Sequence, residues 1–245
     1  MSVRVAISGA GGRMGRALLE AVAGAGDLEL AGSFDIGGDI RAAVSAADVL
    51  IDFTRPEGTL EHLRACVDAK RAIVIGTTGF DSAQLARIRE ASGEIPIVMA
   101  PNMSVGVNVA LRLVEVASRS LGPDYDVEVF EIHHKLKVDA PSGTALKLGE
   151  VAAAARGAAL ERDGVFSRHG HTGERPAGAI GFSVARGGDL VGDHTVYFAG
   201  VGERIEITHR ASSRATYAQG ALRAARFLAG KPAGLYDMQD VLGLK

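Results

Sequence analysis

The sequence predicts an α/β fold: an amino-terminal doubly wound parallel sheet, an inserted α+β domain, and a carboxy-terminal helix that returns to the first domain. Three observations carry this. Short, nearly all-apolar runs alternate with helical patterns over the first hundred residues, a glycine-rich turn follows the first run, and the pattern changes near Pro101. All-apolar strands belong to parallel sheets covered on both faces, and the strand–helix–strand units that build them are right-handed.

Val3 to Ser8 is the first strand, ended by glycines, and Arg13 to Ala23 has helical spacing with Met14, Leu18, Leu19 and Val22 on one face. Further strands are expected at Leu28 to Phe34, Val49 to Phe53, Ala72 to Ile75 and Ile95 to Met99, with helices near Pro56 to Asp68 and Asp81 to Ala91. Beyond Pro101 come a helix (Val105 to Leu121), a long alternating strand (Asp124 to His134) and a helix from Ser142 through Ala153. Gly157 to Ala177 reads as a polar, glycine-containing loop. Strands at Ala179 to Arg186, His194 to Gly200 and Arg204 to Arg210 are separated by polar breaks, which suggests antiparallel neighbours. Ser213 to Leu228 is the last helix, bounded by Gly230. The expected domains are 1–104 plus 215–245, and 105–214.

Composition narrows the function. Of 245 residues, 47% are hydrophobic and 23% charged, a globular balance, and the net charge of -2 gives no overall basic field to collect nucleic acid or anionic lipid. An anionic ligand therefore needs a local cluster of cations. Cys66 is the single cysteine, so a disulfide framework and a multi-thiolate metal site are excluded. No basic-then-apolar leader precedes the first strand and no run of eighteen apolar residues occurs; the expectation is a cytoplasmic protein that contacts neither membrane nor nucleic acid.

Gly9, Ala10, Gly11, Gly12, Arg13, Met14 and Gly15 lie between strand and helix, where a glycine turn lets backbone approach a pyrophosphate that faces the helix's N–H groups. Met14 stands where the usual fingerprint has its third glycine, so the glycines fall at 9, 12 and 15 or at 9, 11 and 15. Asp35 ends the second strand about twenty residues on, where an acid accepts hydrogen bonds from ribose hydroxyls. Ile36 follows it, so no guanidinium stands there to neutralise a 2′-phosphate, a charge that Arg13 could partly replace. Gly76, Thr77, Thr78 and Gly79 follow the fourth strand, and Ala100, Pro101, Asn102 and Met103 the fifth, at the carboxyl edge that suits nicotinamide contacts.

The richest segment runs from Glu131 to Ala145. His133, His134, Lys135 and Lys137 are four potential cations within five residues. On a strand His133, Lys135 and Lys137 point one way and His134 the other, unless a turn gathers both histidines to one site. Pro141, Ser142, Gly143 and Thr144 resemble a helix start, whose N–H groups and dipole suit a carboxylate. Histidine titrates near neutrality and lysine is a strong point charge, so the cluster suits anion binding with proton transfer. No carboxylate or cysteine stands at ligand spacing from the two histidines, and no metal is expected.

Glu-Ile-His-His-x-x-Lys-x-Asp-Ala-Pro-Ser-Gly-Thr-Ala, at 131–145, resembles the signature of the 4-hydroxy-tetrahydrodipicolinate reductase (dihydrodipicolinate reductase) family of diaminopimelate and lysine biosynthesis. The likeness extends to Val5–Gly15, Ile51–Glu57, Gly76–Phe80, Gly170–Arg175 and Ile207–His209. The resemblance implies a Rossmann domain plus a mixed-sheet substrate domain, hinged near Ser104 and Arg214 and closing over the ternary complex. It also implies a homotetramer assembled through the second sheet. By the same resemblance His133 is the acid/base and Lys137 the proton donor. His134, Ser142, Gly143 and Thr144 hold the carboxylates of a small dicarboxylate imine. Gly9 to Met14, Asp35, Gly76 to Thr78 and Ala100 to Met103 hold NADH or NADPH. Family members often carry an arginine after the ribose acid; Ile36 departs from that and leans the expectation towards NADH or dual use.

Rival oxidoreductase readings lack their chemistry. An aldehyde dehydrogenase-type enzyme needs a cysteine nucleophile, and Cys66 lies in a helical run with no histidine arranged for it. A short-chain dehydrogenase needs Tyr-x-x-x-Lys, but Val129, Val201, Ala221 and Asp240 stand four residues after the tyrosines. A redox-sensing binding module would need no acid/base cluster.

Overall fold

The computed structural model describes residues 2–245. The chain divides into two compact units, one running to Val105 and resuming at Arg214, the other spanning Gly106–Ser213.

In the first unit β1 (Val3–Ser8), β2 (Leu28–Phe34), β3 (Val49–Asp52), β4 (Ala72–Ile75), β5 (Pro96–Met99) and β11 (Gly234–Tyr236) form a six-stranded sheet in the order β11-β5-β4-β3-β1-β2. Every pairing is parallel. β3 and β4 are buried at every position, because helices cover both faces. Alternation decides which side chain goes where. Val5, Ile7, Val49, Ile51 and Val74 meet α1 (Arg13–Ala23), α8 (Ala215–Leu228) and α9 (Met238–Leu242); Ala6, Leu50, Ile73 and Ile75 meet α2 (Ile40–Ala46), α3 (Pro56–Ala69) and α4 (Ser82–Ala91). The sequence pattern did not mark α2, β11 or α9, each seven residues or fewer.

In the second unit β6 (Asp126–His133), β7 (Gly164–Val165), β8 (Ile180–Arg186), β9 (Gly192–Ala199) and β10 (Arg204–Ala211) form a mixed sheet in the order β10-β9-β6-β8-β7. One expectation is corrected here. β9 and β10 are antiparallel neighbours, but β8 does not lie beside β9: it pairs parallel to β6, and β6 separates the two. Parallel strands need a crossover, and α6 (Gly143–Ala155) supplies it between β6 and β8. The expected loop at 157–177 also contains α7 (Leu160–Asp163) and β7. One face of this sheet (Val127, Val129, Phe182, Val196, Phe198) packs on α6 and on α5 (Val105–Leu121) through Leu148, Ala152 and Val114. Phe130 and Tyr197 belong to the other face, where Phe130 is exposed and Tyr197 half-buried. Among the described residues no helix is long and apolar enough to cross a membrane.

α8 lies so close to the chain after β5 that a Cβ at Gly220 would overlap the Met103 carbonyl. Alanine for glycine in a helix interior ordinarily stabilises by about 1 kcal/mol. Here overlap reverses the sign, and Gly220→Ala is expected to cost about 1–3 kcal/mol net, the usual range for overpacking. A lowered urea midpoint at unchanged m-value checks this; a raised midpoint would refute the packing argument.

Candidate active site

At the carboxyl edge of the first sheet, Gly9 turns the chain with φ +64° and the Gly12 N–H donates to its carbonyl at 3.0 Å. A Cβ on Gly15 would strike Gly9 and Ala10, so Gly15 is the glycine that seats α1 against the strand. Gly15 is the last glycine of either spacing, and its role is the same in both. Gly12, the N-cap of α1, brings no side chain to its own helix, so the amino end suits an anion. Asp35 accepts from the Gly11 N–H at 2.9 and 3.2 Å, which holds its carboxylate beside the glycine turn. A donor set of backbone amides with one strand-end carboxylate fits a pyrophosphate and a ribose diol.

Beneath this edge lies a buried network that sequence reasoning did not find. Asp52, fully buried at the end of β3, accepts from Thr54 N (2.8 Å) and Thr54 Oγ1 (2.7 Å) and pairs with His62 Nδ1 (2.5 Å). Thr59 and Thr77 hydroxyls reach the same carboxylate, each at 3.3 Å. Burial opposes the charge, but His62 and Thr54 hold the carboxyl below its usual range. The Thr77 side chain is thus turned inward, so of Gly76, Thr77 and Thr78 only Thr78 is exposed. Gly76 has no room for a Cβ because the Phe53 ring lies against it. Of the four residues after β5, Pro101 is exposed and Asn102 half-buried; Ala100 and Met103 are buried in the core, leaving Met103 its backbone alone for any ligand. Arg13 is exposed and Met14 packs partly against the core.

In the second unit β6 ends at His133, and a turn follows. Of the two alternatives the sequence left open, strand alternation through Lys137 or a turn, the turn is the one observed. The His134 N–H donates to Leu190 O and the Lys137 N–H to His134 O, curling the basic run back on itself. Lys137 Nζ binds Asp139 at 2.8 and 2.9 Å. His134 Nδ1 is buried without a hydrogen-bond partner among the described residues. After a cis Ala140–Pro141 bond, Ser142 caps α6 through Ala145 N (3.2 Å), and Gly143 beside it is exposed.

The centre of this site is Glu131, with no exposure at all. Its Oε2 meets His133 Nδ1 at 2.5 Å and its Oε1 accepts the Ser142 N–H at 3.0 Å. Arg186, from β8, reaches both oxygens, at 2.9 and 3.0 Å. Burial pushes this carboxyl up, yet Arg186, His133 and the Ser142 N–H together hold it below its usual range. His194, from β9, shares a hydrogen bond with Ser142 Oγ (2.9 Å) and meets the His133 ring edge-on with centroids 5.0 Å apart. Ser142 is thus committed internally on three sides, while Gly143 and Thr144 are more exposed. Glu131 was legible as an i, i+2 partner of His133 on one strand face; Arg186 and His194 had no local signal.

Burial, then the neighbouring His133, pushes His194 down to about 4, against 6.5 for an ordinary histidine. Between those values the unfolded chain binds a proton that the folded chain refuses, so stability is complete above about 6.5 and lost as pH falls. Half-buried His209, also lowered by burial, acts in the same direction. Asp52 and Glu131 act only below the ordinary carboxylate range, which leaves pH 5–6.5 to the histidines. Between pH 7 and 5 the wild-type chain is expected to lose on the order of 1–2 kcal/mol more than His194→Gln. Urea unfolding across that range checks it, and equal slopes for the two proteins would dismiss the assignment.

Residues 3–103 match the family model for the dihydrodipicolinate reductase amino terminus, and residues 106–242 the model for its carboxy terminus. The chain is 55% identical over its whole length to a 4-hydroxy-tetrahydrodipicolinate reductase from Burkholderia mallei, covering 99% of that protein. It is 54% identical, at the same coverage, to one from Nitrosospira multiformis. Its fold is similar to a dipicolinate-bound dihydrodipicolinate reductase from Paenisporosarcina sp. TG-14, with TM-score 0.79, 26% identity, and coverage of 98% of this chain and 99% of that one. The chain belongs to the dihydrodipicolinate reductase family.

Proposed function

We propose that the chain reduces 4-hydroxy-2,3,4,5-tetrahydrodipicolinate to tetrahydrodipicolinate in diaminopimelate and lysine biosynthesis. The reaction takes up a hydride and a proton and releases water. The observation that carries the reading is the placement of His133 beside the amino end of α6, both tied to one buried carboxylate. A proton-exchanging ring and an anion-binding helix end at one place suit a substrate that is both an imine and a dicarboxylate.

A bound nicotinamide dinucleotide supplies the hydride. Gly9, Ala10, Gly11, Gly12, Arg13 and Met14 would hold its pyrophosphate, Asp35 the ribose, and Gly76–Thr78 with Ala100–Met103 the nicotinamide end. In the second unit Gly143 and Thr144 present N–H groups at the start of α6 to a substrate carboxylate, supported from beneath by Ser142. His134 adds a further polar group to that end of the site. Lys137, released from Asp139, contributes positive charge and a proton, and His133 moves a proton through its ring. Orienting the substrate is the largest contribution these residues make to the rate. The setting is cytoplasmic.

The decisive experiment is NADH or NADPH oxidation with enzymatically generated substrate; no turnover with either cofactor would end the reading. His133→Ala and Lys137→Ala are each expected to lower kcat by about 10²- to 10⁴-fold, the range for acid–base groups, while NADH affinity measured by fluorescence stays near wild type. Near-normal kcat in both variants would remove the pair from the chemistry.

Asp35 repels a 2′-phosphate and the fully exposed Ile36 offers no compensating charge. NADH is therefore expected to serve at least as well as NADPH. A kcat/KM for NADPH tenfold above that for NADH, about 1.4 kcal/mol, contradicts this.

The assembly we propose is a homotetramer built on the second sheet. Exposed Phe130 and half-buried Tyr197 support it, on the face opposite α5 and α6. Light scattering at micromolar concentration is expected to return four chains, and a monomer would rule the arrangement out.

A further inference from the structure

We propose that Glu131 is the positioning residue of this site: it keeps the His133 Nδ1 protonated, so that Nε2 is the atom exchanging protons with substrate, and it fixes that ring relative to the amino end of α6. The inference deepens the functional reading above and rests on it.

Three observations support the assignment. The carboxylate is buried and its partners are all donors: Arg186 through two nitrogens, the Ser142 N–H, and His133 Nδ1 at 2.5 Å. An ionised carboxylate only accepts hydrogen bonds, so the imidazole nitrogen facing it must carry a proton, and in the neutral ring Nε2 is then the acceptor. Second, the space next to Nε2 is kept by a missing side chain. A Cβ on Gly192 would come within 2.6 Å of that nitrogen, so β9 carries glycine where it passes His133. Third, Glu131 is a shared anchor. Oε2 holds the ring, Oε1 holds the first turn of α6, and Arg186 bridges both oxygens while donating to Asp139 O (2.6 Å) in the segment between them. The proton-exchanging atom and the anion-binding amides are thus set relative to each other by one rigid group, not by two independent loops. Glutamine at this position keeps the shape but replaces one acceptor oxygen with an N–H donor. It must then oppose either the Ser142 N–H or the protonated Nδ1.

The tautomer is read in the wild-type protein by long-range ¹H–¹⁵N correlation with ¹⁵N-histidine labelling, His133→Ala giving the assignment. His133 is expected as the Nδ1–H form near neutral pH; an Nε2–H form there overturns the proposal, with or without any activity measurement. In Glu131→Gln the ring is held by a neutral amide in place of a carboxylate, and the share of the Nδ1–H form is expected to fall. Its kcat should fall about 10- to 10³-fold and the substrate KM should rise, with NADH affinity unchanged and the circular dichroism spectrum retained. Glu131→Asp, which keeps the charge, is expected to recover part of the kcat. In Glu131→Gln/His133→Ala the loss should not exceed that of His133→Ala alone, since Glu131 acts through the ring. Full additivity, or an unchanged kcat in Glu131→Gln, overturns the positioning role. An active His133→Ala overturns the functional reading instead, so the two failures are distinguishable.

Discussion

A carboxylate withdrawn from water must be compensated where it sits, because an unpaired buried charge costs several kcal/mol. Each unit of this chain contains such a group at a strand end, and each solves the problem in the same way. Asp52 closes β3 and gathers Thr54, Thr59, Thr77 and His62; Glu131 lies two residues from the end of β6 and gathers Arg186, Ser142 and His133. In both, an imidazole Nδ1 stands 2.5 Å from the carboxylate. The donors come from different elements, so satisfying the charge fixes the ends of several strands and helices at once. In the first unit the chain after β3 is locked to the loop after β4; in the second, β6 and β8 are locked to the start of α6. The segments that follow β3, β4 and β6 are tied down by these two charges.

The three histidines packed in these networks show how environment separates their roles. His62 is enclosed on α3, with its ring edge-on to Phe34, and serves the buried charge. His194 has no carboxylate of its own; burial and the adjacent His133 hold it uncharged, and its remaining polar contact is to the Ser142 hydroxyl. His133 alone combines a carboxylate at one nitrogen with a neighbour lacking a side chain at the other. Two histidines kept neutral or enclosed leave a third as the proton-exchanging group of the proposed reaction.

The fold was largely legible because each core element has a period. The apolar runs at Val49–Ile51 and Ala72–Ile75 are buried throughout, as in a parallel sheet covered on both faces. What was missed has no period to show. β11 and α9 are too short, and the pairing of β8 with β6 depends on a crossover whose partner strand lies about fifty residues earlier. The strand expected to run to His134 stops at His133, where hydrogen bonds to Gly188 and Leu190 bend the chain away. Arg186 reaches Glu131 across adjacent strands 55 positions apart. Nothing local announces such a pair.

The glycine turn of the first unit and the Glu131–Gly143 segment of the second were unequally readable for a chemical reason. Backbone amides and a helix dipole recognise a pyrophosphate, so the chain needs only to bring its main chain close, and the trace left is glycine: Gly9 for the turn, Gly15 for contact between α1 and the strand. Many turns leave that trace, and its specificity is low. Proton transfer needs particular side chains in a particular order. Glu131, His133, Lys137, Ser142 and Gly143, to which the proposal gives that chemistry, are an acceptor of four hydrogen bonds, an imidazole, a cation, a helix cap and an exposed helix start. Fifteen residues that combine so many distinct side-chain chemistries in a fixed order therefore carried the family resemblance more sharply than the glycine turn did.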